Sequence, residues 1–562
     1  MLKNLLKTNL LLCVFILFAL VARIIFLGTF PPGMAHDEMD MVLSSKAIAE
    51  TGRDLSGEPF PTFFVRSEME AQQTNVIPFL LSPYFKLVDV NLFSARVPFL
   101  LINFLLLVGI IKLVRLFNRD KLLSLITAFV FLASPWMFVF SRRTFAAPTS
   151  LMFLVWGIYF LYRKKESIFK SYAAFFLSTL SYMGSIVIVP PIVLVLTIHK
   201  FYLEKRKIKK RGAYLFIYLA LIAAYLITSF SIKGGLINNR QVELGTEVSE
   251  EITEEVNELR RMTLEFPLKS VFVNKYTVVL GQRIPDYFNS FNVDSLLFSG
   301  DPRFTYTFDN HGLIYLVDFA LIFMGLAALY RKSKKLLFII STIAVVSALG
   351  PMASTILYSI IYRAFPLSLV FVLLSSFGLW EISKTKFKQI GIIIYFAFFI
   401  NFLVFYFLQY PVRLGENFDV PERVAVNIAI READLGHTTK IVAPIPYQVM
   451  KQVAVYSHNF DTFIIPPENE YKYGNIVVSN DCTDTGEDVI VLDQRMDCED
   501  IEQGYDVIHQ QKDAGYRYKI FGSSICDSNT LDKYKRFHET KDYKIELLSN
   551  YDFCSAWIFS TL

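Results

Sequence analysis

Charge is the first thing this 562-residue sequence has little of: Asp, Glu, Lys and Arg together make up 19% of it, against 53% hydrophobic residues. Ordinary soluble domains are about a quarter charged, so this balance excludes that class. The net formal charge is only +5, and its clustering beside apolar runs makes it an orientation signal, not a nucleic-acid footprint. No nucleic-acid partner is expected. No glycine-rich phosphate loop accompanies the tail after Tyr410-Pro411, which leaves it without a nucleotide-binding motif. Internal repeats and low-complexity tracts are also missing, and with them the pseudo-symmetric halves expected of many transporters. Cysteines number five. Cys13 falls inside the first apolar run, while Cys482, Cys498, Cys526 and Cys554 lie in the tail, at spacings unlike a zinc site. Those four allow two disulfides in any of three connectivities.

Long hydrophobic runs are what the sequence does contain. Aromatic residues reach 15%, with 53 Phe, and mean hydropathy is +0.41. Residues 9–28 form an apolar run of about the 20 residues needed to cross a bilayer core of roughly 30 Å. It follows Lys3 and Lys7, and no small-x-small cleavage site comes promptly after it, so it reads as a retained anchor with its amino terminus in the cytoplasm. Further runs lie near 92–112, 122–141, 148–162, 171–187, 188–199, 213–231, 312–330, 336–350, 364–380 and 389–410, predicting about eleven transmembrane helices. Basic clusters alternate with them: Lys112 to Lys121, Arg163 to Lys165, Lys200 to Arg211, Arg331 to Lys335 and Lys384 to Lys388. By the positive-inside rule these mark the cytoplasmic face. Segments 29–90, 232–311 and 411–562 then fall outside the cytoplasm.

The chain divides accordingly into a transmembrane module, 1–410, and a tail, 411–562. The first loop predicts a helix capped by Asp37, running to about Glu50 and ended by Thr51-Gly52. Turns follow at Arg53-Asp54 and Ser56-Gly57, with stiffening at Pro59 and Pro61. In the second loop, Val248, Ile252, Val256 and Leu259 share one face of an acid-rich amphipathic helix. After Tyr410-Pro411, strand-like pieces such as Lys440 to Ala443 and Asp488 to Leu492 alternate with helical ones such as Pro421 to Glu432, which predicts a small α/β domain.

Candidate chemistry gathers where the loops meet the membrane. His36-Asp37-Glu38 follows the first span directly. A hydroxyl acceptor needs a carboxylate to take its proton, and Asp37 is the candidate base with Glu38 beside it. The same pair also suits a helix cap and a first-turn dipole partner. His36 is a neighbour able to hydrogen-bond, or to ligate a divalent metal. Ser134-Pro135-Trp136 and Ser141-Arg142-Arg143 stand at the outer end of the third predicted span; arginines there suit a lipid phosphate or simply snorkel to the interface. Arg363, after Tyr362, sits within an apolar run, where a charged residue is by default a functional one. Asp301, in Ser299-Gly300-Asp301-Pro302, either shapes a turn or faces the site.

Taken in order, Pro31-Pro32-Gly33, His36-Asp37-Glu38, Thr51-Gly52 with Asp54, Gly57, Pro59 and Pro61, then Ser134-Pro135-Trp136 with Ser141-Arg142, then Ser299-Gly300-Asp301-Pro302, then Arg363, resemble the family 39 membrane glycosyltransferases. These have the GT-C fold and are similar to protein O-mannosyltransferases and to the transferases that add aminoarabinose to lipid A. The resemblance covers about residues 1–410. It implies a polyprenyl-phosphate-linked sugar donor, a hydroxyl acceptor (protein, glycolipid or cell-wall polymer), and an inverting displacement outside the cytoplasmic membrane. By position it makes Asp37 the catalytic acid with Glu38 its neighbour. By the same positions Arg142 and Arg363 become donor-phosphate ligands and Asp301 matches the Gly-Asp turn of the large loop; beside them, Arg143 is a further candidate for the donor phosphate, and His36 and Tyr362 are candidates to line the site.

The sequence departs from relatives at two places. Relatives commonly have a Glu where this chain has Ala146, and a basic residue after Ser181-Tyr182, where Met183 to Val189 carries no charge. A different donor headgroup, or a relative that binds lipid without turning it over, would account for both. A transporter of lipid-linked sugars and a non-catalytic envelope-assembly protein are the competing classes.

Overall fold

The computed structural model describes residues 9–57, 76–163, 167–203, 208–231, 250–300, 311–353, 360–410, 418–457, 460–483, 486–493, 495–498, 505–508 and 516–523. Each of the eleven apolar stretches is helical: Leu10–Ile24, Leu92–Phe117, Lys121–Ala133 continuing as Pro135–Ser141, Ala146–Tyr162, Ile168–Ser181, Ser185–Leu203, Ile208–Ser231, Leu316–Lys332, Lys334–Ser347, Pro366–Ile382 and Lys388–Val404. Among the described residues four helices are long and apolar enough to cross a bilayer, Leu92–Phe117, Ser185–Leu203, Lys334–Met352 and Lys388–Gln409. The pair Lys121–Ala133 and Pro135–Ser141, bent by 66°, makes a fifth if it is one span, and five shorter helices are apolar as well. The chain is a multi-pass membrane protein. One boundary moves: the expected break at 187/188 falls instead at Tyr182 to Gly184, and Pro190 and Pro191 are accommodated within the following helix.

The 66° bend has a local cause and a local remedy. Pro135 has no N–H to continue the ladder of Lys121–Ala133, which frees carbonyls at the end of that helix. Arg23 donates to Phe131, Leu132 and Met137 oxygens at 2.9–3.1 Å, and the Tyr315 hydroxyl donates to the Ala133 oxygen. Inside a bilayer, freed backbone groups require such partners.

Elsewhere the helices approach through small residues. Leu316–Lys332 and Pro366–Ile382 meet at two glycines: a Cβ on Gly325 would lie 1.9 Å from the Leu374 oxygen, and one on Gly378 would lie 2.1 Å from the Leu321 oxygen. With no hydrophobic drive between helices in lipid, this close backbone packing supplies the association.

Strand structure among the described residues is confined to 439–521, where six strands pair in the order β2-β3-β1-β4-β6-β5: β1 Thr439–Val442, β2 Glu470–Tyr473, β3 Ile476–Ser479, β4 Val489–Asp493, β5 Tyr505–Ile508 and β6 Tyr516–Phe521. The central β1 runs parallel to β3 and β4, and the flanking pairs are antiparallel. Both β1 and β4 are buried along their whole length, as central strands covered on both faces should be. Helices Val420–Asp434 and Pro446–Tyr456 pack on the sheet. Cys482 and Cys498 form a disulfide; Cys526 and Cys554 lie outside the described residues.

The expected first-loop helix is present as His36–Thr51 and ends, as its sequence implies, at Gly52 with φ of +70°, a conformation that costs glycine nothing. Its cap differs from expectation. Ala35 occupies the N-cap and Asp37 sits in the first turn; the capping carboxylate is that of Glu38, whose Oε2 accepts from the Ala35 N–H at 3.0 Å. In the second loop, Glu250–Met262 is helical and buries Val256. Gln282, on Lys275–Asn289, donates to Glu255 at 2.7 Å and joins the two loop helices.

Candidate active site

Segment 22–38, which leads from the first helix to the acidic pair, is held by arginines from three other parts of the chain. Arg142 donates from Nη1 to the oxygens of Ala22, Arg23 and Ile25, and from Nη2 to those of Phe26 and Phe30, all at 2.9–3.1 Å. Arg96, on Leu92–Phe117, reaches the Leu27 oxygen at 2.9 Å and the Gly33 oxygen at 2.7 Å. Arg423, on Val420–Asp434, donates to the Pro32 oxygen. The Phe30-Pro31 peptide within this segment is cis. A helix end leaves its last carbonyls without intrahelical donors, and a guanidinium with five N–H groups in a fixed fork is suited to collect several of them. Arg142 was expected at a donor phosphate. Its Nη donors are instead engaged on the backbone and it is fully buried, so the geometry makes it a clamp on the first helix.

Arg143 behaves similarly toward the acidic pair. Its Nη2 lies 3.2 Å from Glu38 Oε2 and its Nε 3.4 Å from Oε1, while the Thr144 N–H donates to Oε1 at 2.9 Å. The guanidinium is sandwiched between Phe145 and Phe418, at 4.4 and 4.6 Å from the ring centres. Both charges are sealed from solvent. Burial opposes ionisation of Glu38, but the charge and hydrogen bonds of Arg143, with Arg96 and the Ala35 N–H, hold its carboxyl below the usual range. Glu38 is thus an ionised structural carboxylate. Arg143, also expected at the phosphate, is its counter-ion.

Asp37, one residue earlier, is exposed. Its helix is fixed at both ends and from one side: Glu38 anchors the first turn, and Lys451 from Pro446–Tyr456 bonds Asp40 at 2.7 Å in a buried pair. Lys46 pairs with Glu50 at 3.2 Å, and the Ile465 N–H donates to the Leu55 oxygen at 2.7 Å. A carboxylate presented from a first turn pinned this way can accept a proton from a group arriving through solvent or lipid headgroups.

His36, expected to line the site, faces the tail. Its Nε2 lies 3.4 Å from Glu422 Oε2 and 3.7 Å from Asp419 Oδ2. Burial disfavours the imidazolium, but these carboxylates outweigh it and raise the pKa to about 9. The Asp419 carboxyl is pushed up, by burial first and then by Glu422 and Glu38, against the pull of His36. Sequence reasoning missed Asp419, Glu422, Arg423 and Lys451, because nothing in the tail's composition marks which surface will cover the first loop.

Tyr362 lies on Ile360–Arg363 and packs its ring against Phe140, Phe145 and Tyr182, at 4.7–6.2 Å between centres. Through Phe145 it is one side chain from Arg143, so the late arginine segment and the acidic pair belong to one locality. Arg363 follows, partly exposed. Arg283, on Lys275–Asn289, is held below its ordinary pKa by burial and then by repulsion from Arg363, with Asp286 opposing. Asp301 lies outside the described residues; just before it, the Ser299 hydroxyl donates to Asp294 at 2.7 Å and Gly300 takes a φ of +72°. A cavity of about 580 Å³ adjoins this turn, lined by Ser299, His311, Tyr315 and Phe398 among others.

At the two departures the side chains are uncharged. Ala146 is buried at the start of its helix. Nearby, the Ser150 hydroxyl contacts Ser185 Oγ at 2.6 Å and donates to the Ser178 oxygen at 2.8 Å, so hydroxyls tie together the three helices around Ser181-Tyr182.

Residues 72–228 match the family model described as dolichyl-phosphate-mannose-protein mannosyltransferase. The structure is similar to the crystal structure of ArnT from Cupriavidus metallidurans in the apo state, with a TM-score of 0.51 and 10% identity over 92% of this chain and 98% of that one. It is similar also to ArnT from the same organism bound to undecaprenyl phosphate, with a TM-score of 0.50 and 12% identity over 91% and 98%. No curated protein matches the chain in sequence. The chain has the GT-C fold and resembles the protein mannosyltransferases and ArnT.

Proposed function

We propose that this protein is an inverting glycosyltransferase of the GT-C type, moving a sugar from a polyprenyl-phosphate-linked donor to a hydroxyl acceptor at the outer side of the cytoplasmic membrane. The observation that carries the reading is Asp37: an exposed carboxylate on the first turn of a helix whose neighbour, Glu38, is locked to Arg143. Support comes from the match at 72–228 to a family named for a lipid-phosphate-sugar-dependent transfer, and from likeness to a protein crystallised with undecaprenyl phosphate. In this reading residues 1–410 form the transferase module, and 411–562 an extracytoplasmic domain that closes over the first loop, with the amino terminus in the cytoplasm.

In the step itself the acceptor oxygen attacks the anomeric carbon from the face opposite the phosphate. Its O–H proton passes to Asp37, the new C–O bond forms, and the electron pair of the breaking C–O bond leaves with the phosphate oxygen. Arg363 meets the charge that builds on that oxygen; a preorganised donor of this kind contributes typically about 3–4 kcal/mol. Arg142 and Arg143 act one step back, by fixing segment 22–38. The uncharged side chains around Ser150 and Ser181 suit a donor headgroup that differs from those read by charged relatives.

The test is mass spectrometry of lipids that co-purify with wild-type protein and with Arg363→Ala in mild detergent. A polyprenyl-phosphate sugar in the first, depleted in the second, is expected. Generic phospholipids alone in both would overturn the donor assignment and favour a transport or assembly role.

A further inference from the structure

The contact between His36 and the tail has the make-up of a metal site. His36, Asp419 and Glu422 each offer one donor atom, and these atoms all lie within 4.8 Å of one another. The imidazole and carboxylates are separated by 3.4 and 3.7 Å. Both spacings are longer than a good N–H···O hydrogen bond, about 2.7–3.2 Å. They are close to the edge of a tetrahedron whose ligands sit at about 2.0–2.2 Å from a central zinc, which is roughly 3.3–3.5 Å. Two carboxylates, with the imidazole giving up its proton on binding, carry the charge that a divalent cation would balance.

The backbone is arranged for this meeting. Asp419 takes a φ of +50°, a left-handed conformation unfavourable for most residues with a Cβ. It stands at the N-cap of Val420–Asp434, where an Asp ordinarily accepts from the first-turn N–H groups, yet it makes no such bond. Its carboxylate is directed at His36 instead, and Glu422, three residues on, shares the same helix face. Asp419 Oδ2 and His36 Nδ1 are inaccessible to solvent and have no hydrogen-bond partner among the described residues. The other charges nearby are otherwise engaged: Lys451 with Asp40, and Arg495 chiefly with Asp493 at 2.6 Å, its contact to Glu422 Oε1 being 3.8 Å.

We propose that His36, Asp419 and Glu422 bind one divalent cation, zinc in character, which fastens the segment after the last apolar helix to the helix that presents Asp37. Three protein ligands leave a fourth position for water. Since the donors come from chain segments nearly four hundred residues apart, occupancy requires the folded protein and stabilises it. This goes beyond the glycosyl-transfer reading and does not depend on it.

The experiment uses full-length protein in detergent, stripped with EDTA and titrated with ZnCl2 against a chromophoric chelator, with metal content counted by mass spectrometry. Wild type is expected to hold about one equivalent more than His36→Gln or Asp419→Asn, and micromolar zinc is expected to raise its Tm but not theirs. No uptake by wild type, or equal uptake by folded variants, overturns the proposal. Should both variants fail to fold, Co2+ added to stripped wild type decides: intense visible bands of a tetrahedral site are expected, and a spectrum of aqueous Co2+ alone overturns the assignment. Because the readout is the metal itself, a negative result leaves the transfer reading standing, and loss of donor lipid in the lipid test leaves the metal site standing.

Discussion

Arg143 closes on Glu38 at 3.2 Å with both side chains fully buried, and this pairing fixes the orientation of the neighbouring Asp37. The guanidinium holds in place the loop on which the candidate base is mounted. Arg142, Arg96 and Arg423 extend the same work along segment 22–33.

Removing one partner of a buried ion pair typically costs about 3–5 kcal/mol. Glu38→Gln and Arg143→Met should each lower Tm in detergent by a wide margin, and the double variant should be less destabilised than the sum of the two. Additive losses in this cycle would contradict the pairing.

Asp37→Asn should leave Tm and elution profile as in wild type while transfer falls by about 10²–10⁴-fold. The effect belongs in kcat, since the carboxylate acts on the proton and not on donor affinity. Turnover near the wild-type value would remove Asp37 from the reaction.

Arg142 and Arg363 should fail differently. Arg142→Gln strips donors from five carbonyls, and buried polar groups left unmatched cost about 1–3 kcal/mol each, so the protein should lose stability. Arg363→Ala should fold and lose bound lipid. Thermal unfolding read beside lipid content separates the two, and equal stability of both variants would refute the clamp.

Gly378→Ala and Gly325→Ala place a methyl 2.1 and 1.9 Å from a facing carbonyl oxygen, too near for any rotamer to relieve. Each should force the two helices apart and destabilise the protein by about 1–3 kcal/mol or more, whereas Gly212→Ala, with nothing within 4 Å, should be neutral. A thermal unfolding series in detergent checks all three.

The positions of the helices were legible because an apolar run of bilayer length admits little besides a helix, and the two strands read at Lys440 to Ala443 and Asp488 to Leu492 were found within a residue or two. The end of the first-loop helix at Gly52 was equally readable, since only the local backbone decides it. Its beginning was not. Ala35 has no capping side chain, and the carboxylate that caps it belongs to Glu38, whose direction depends on Arg143 more than a hundred residues away.

By itself the sequence determined the membrane-embedded class, the order of helices, and an acidic turn just after the first of them, all properties of short stretches of chain. Which arginine meets a carbonyl, a carboxylate or a ligand was decided only in three dimensions. A guanidinium has the same donors wherever it stands, and its role follows from the partners that distant segments bring to it. His36 makes the point most plainly: in the sequence it is a neighbour of Asp37 and Glu38, and in the fold it faces Asp419 and Glu422.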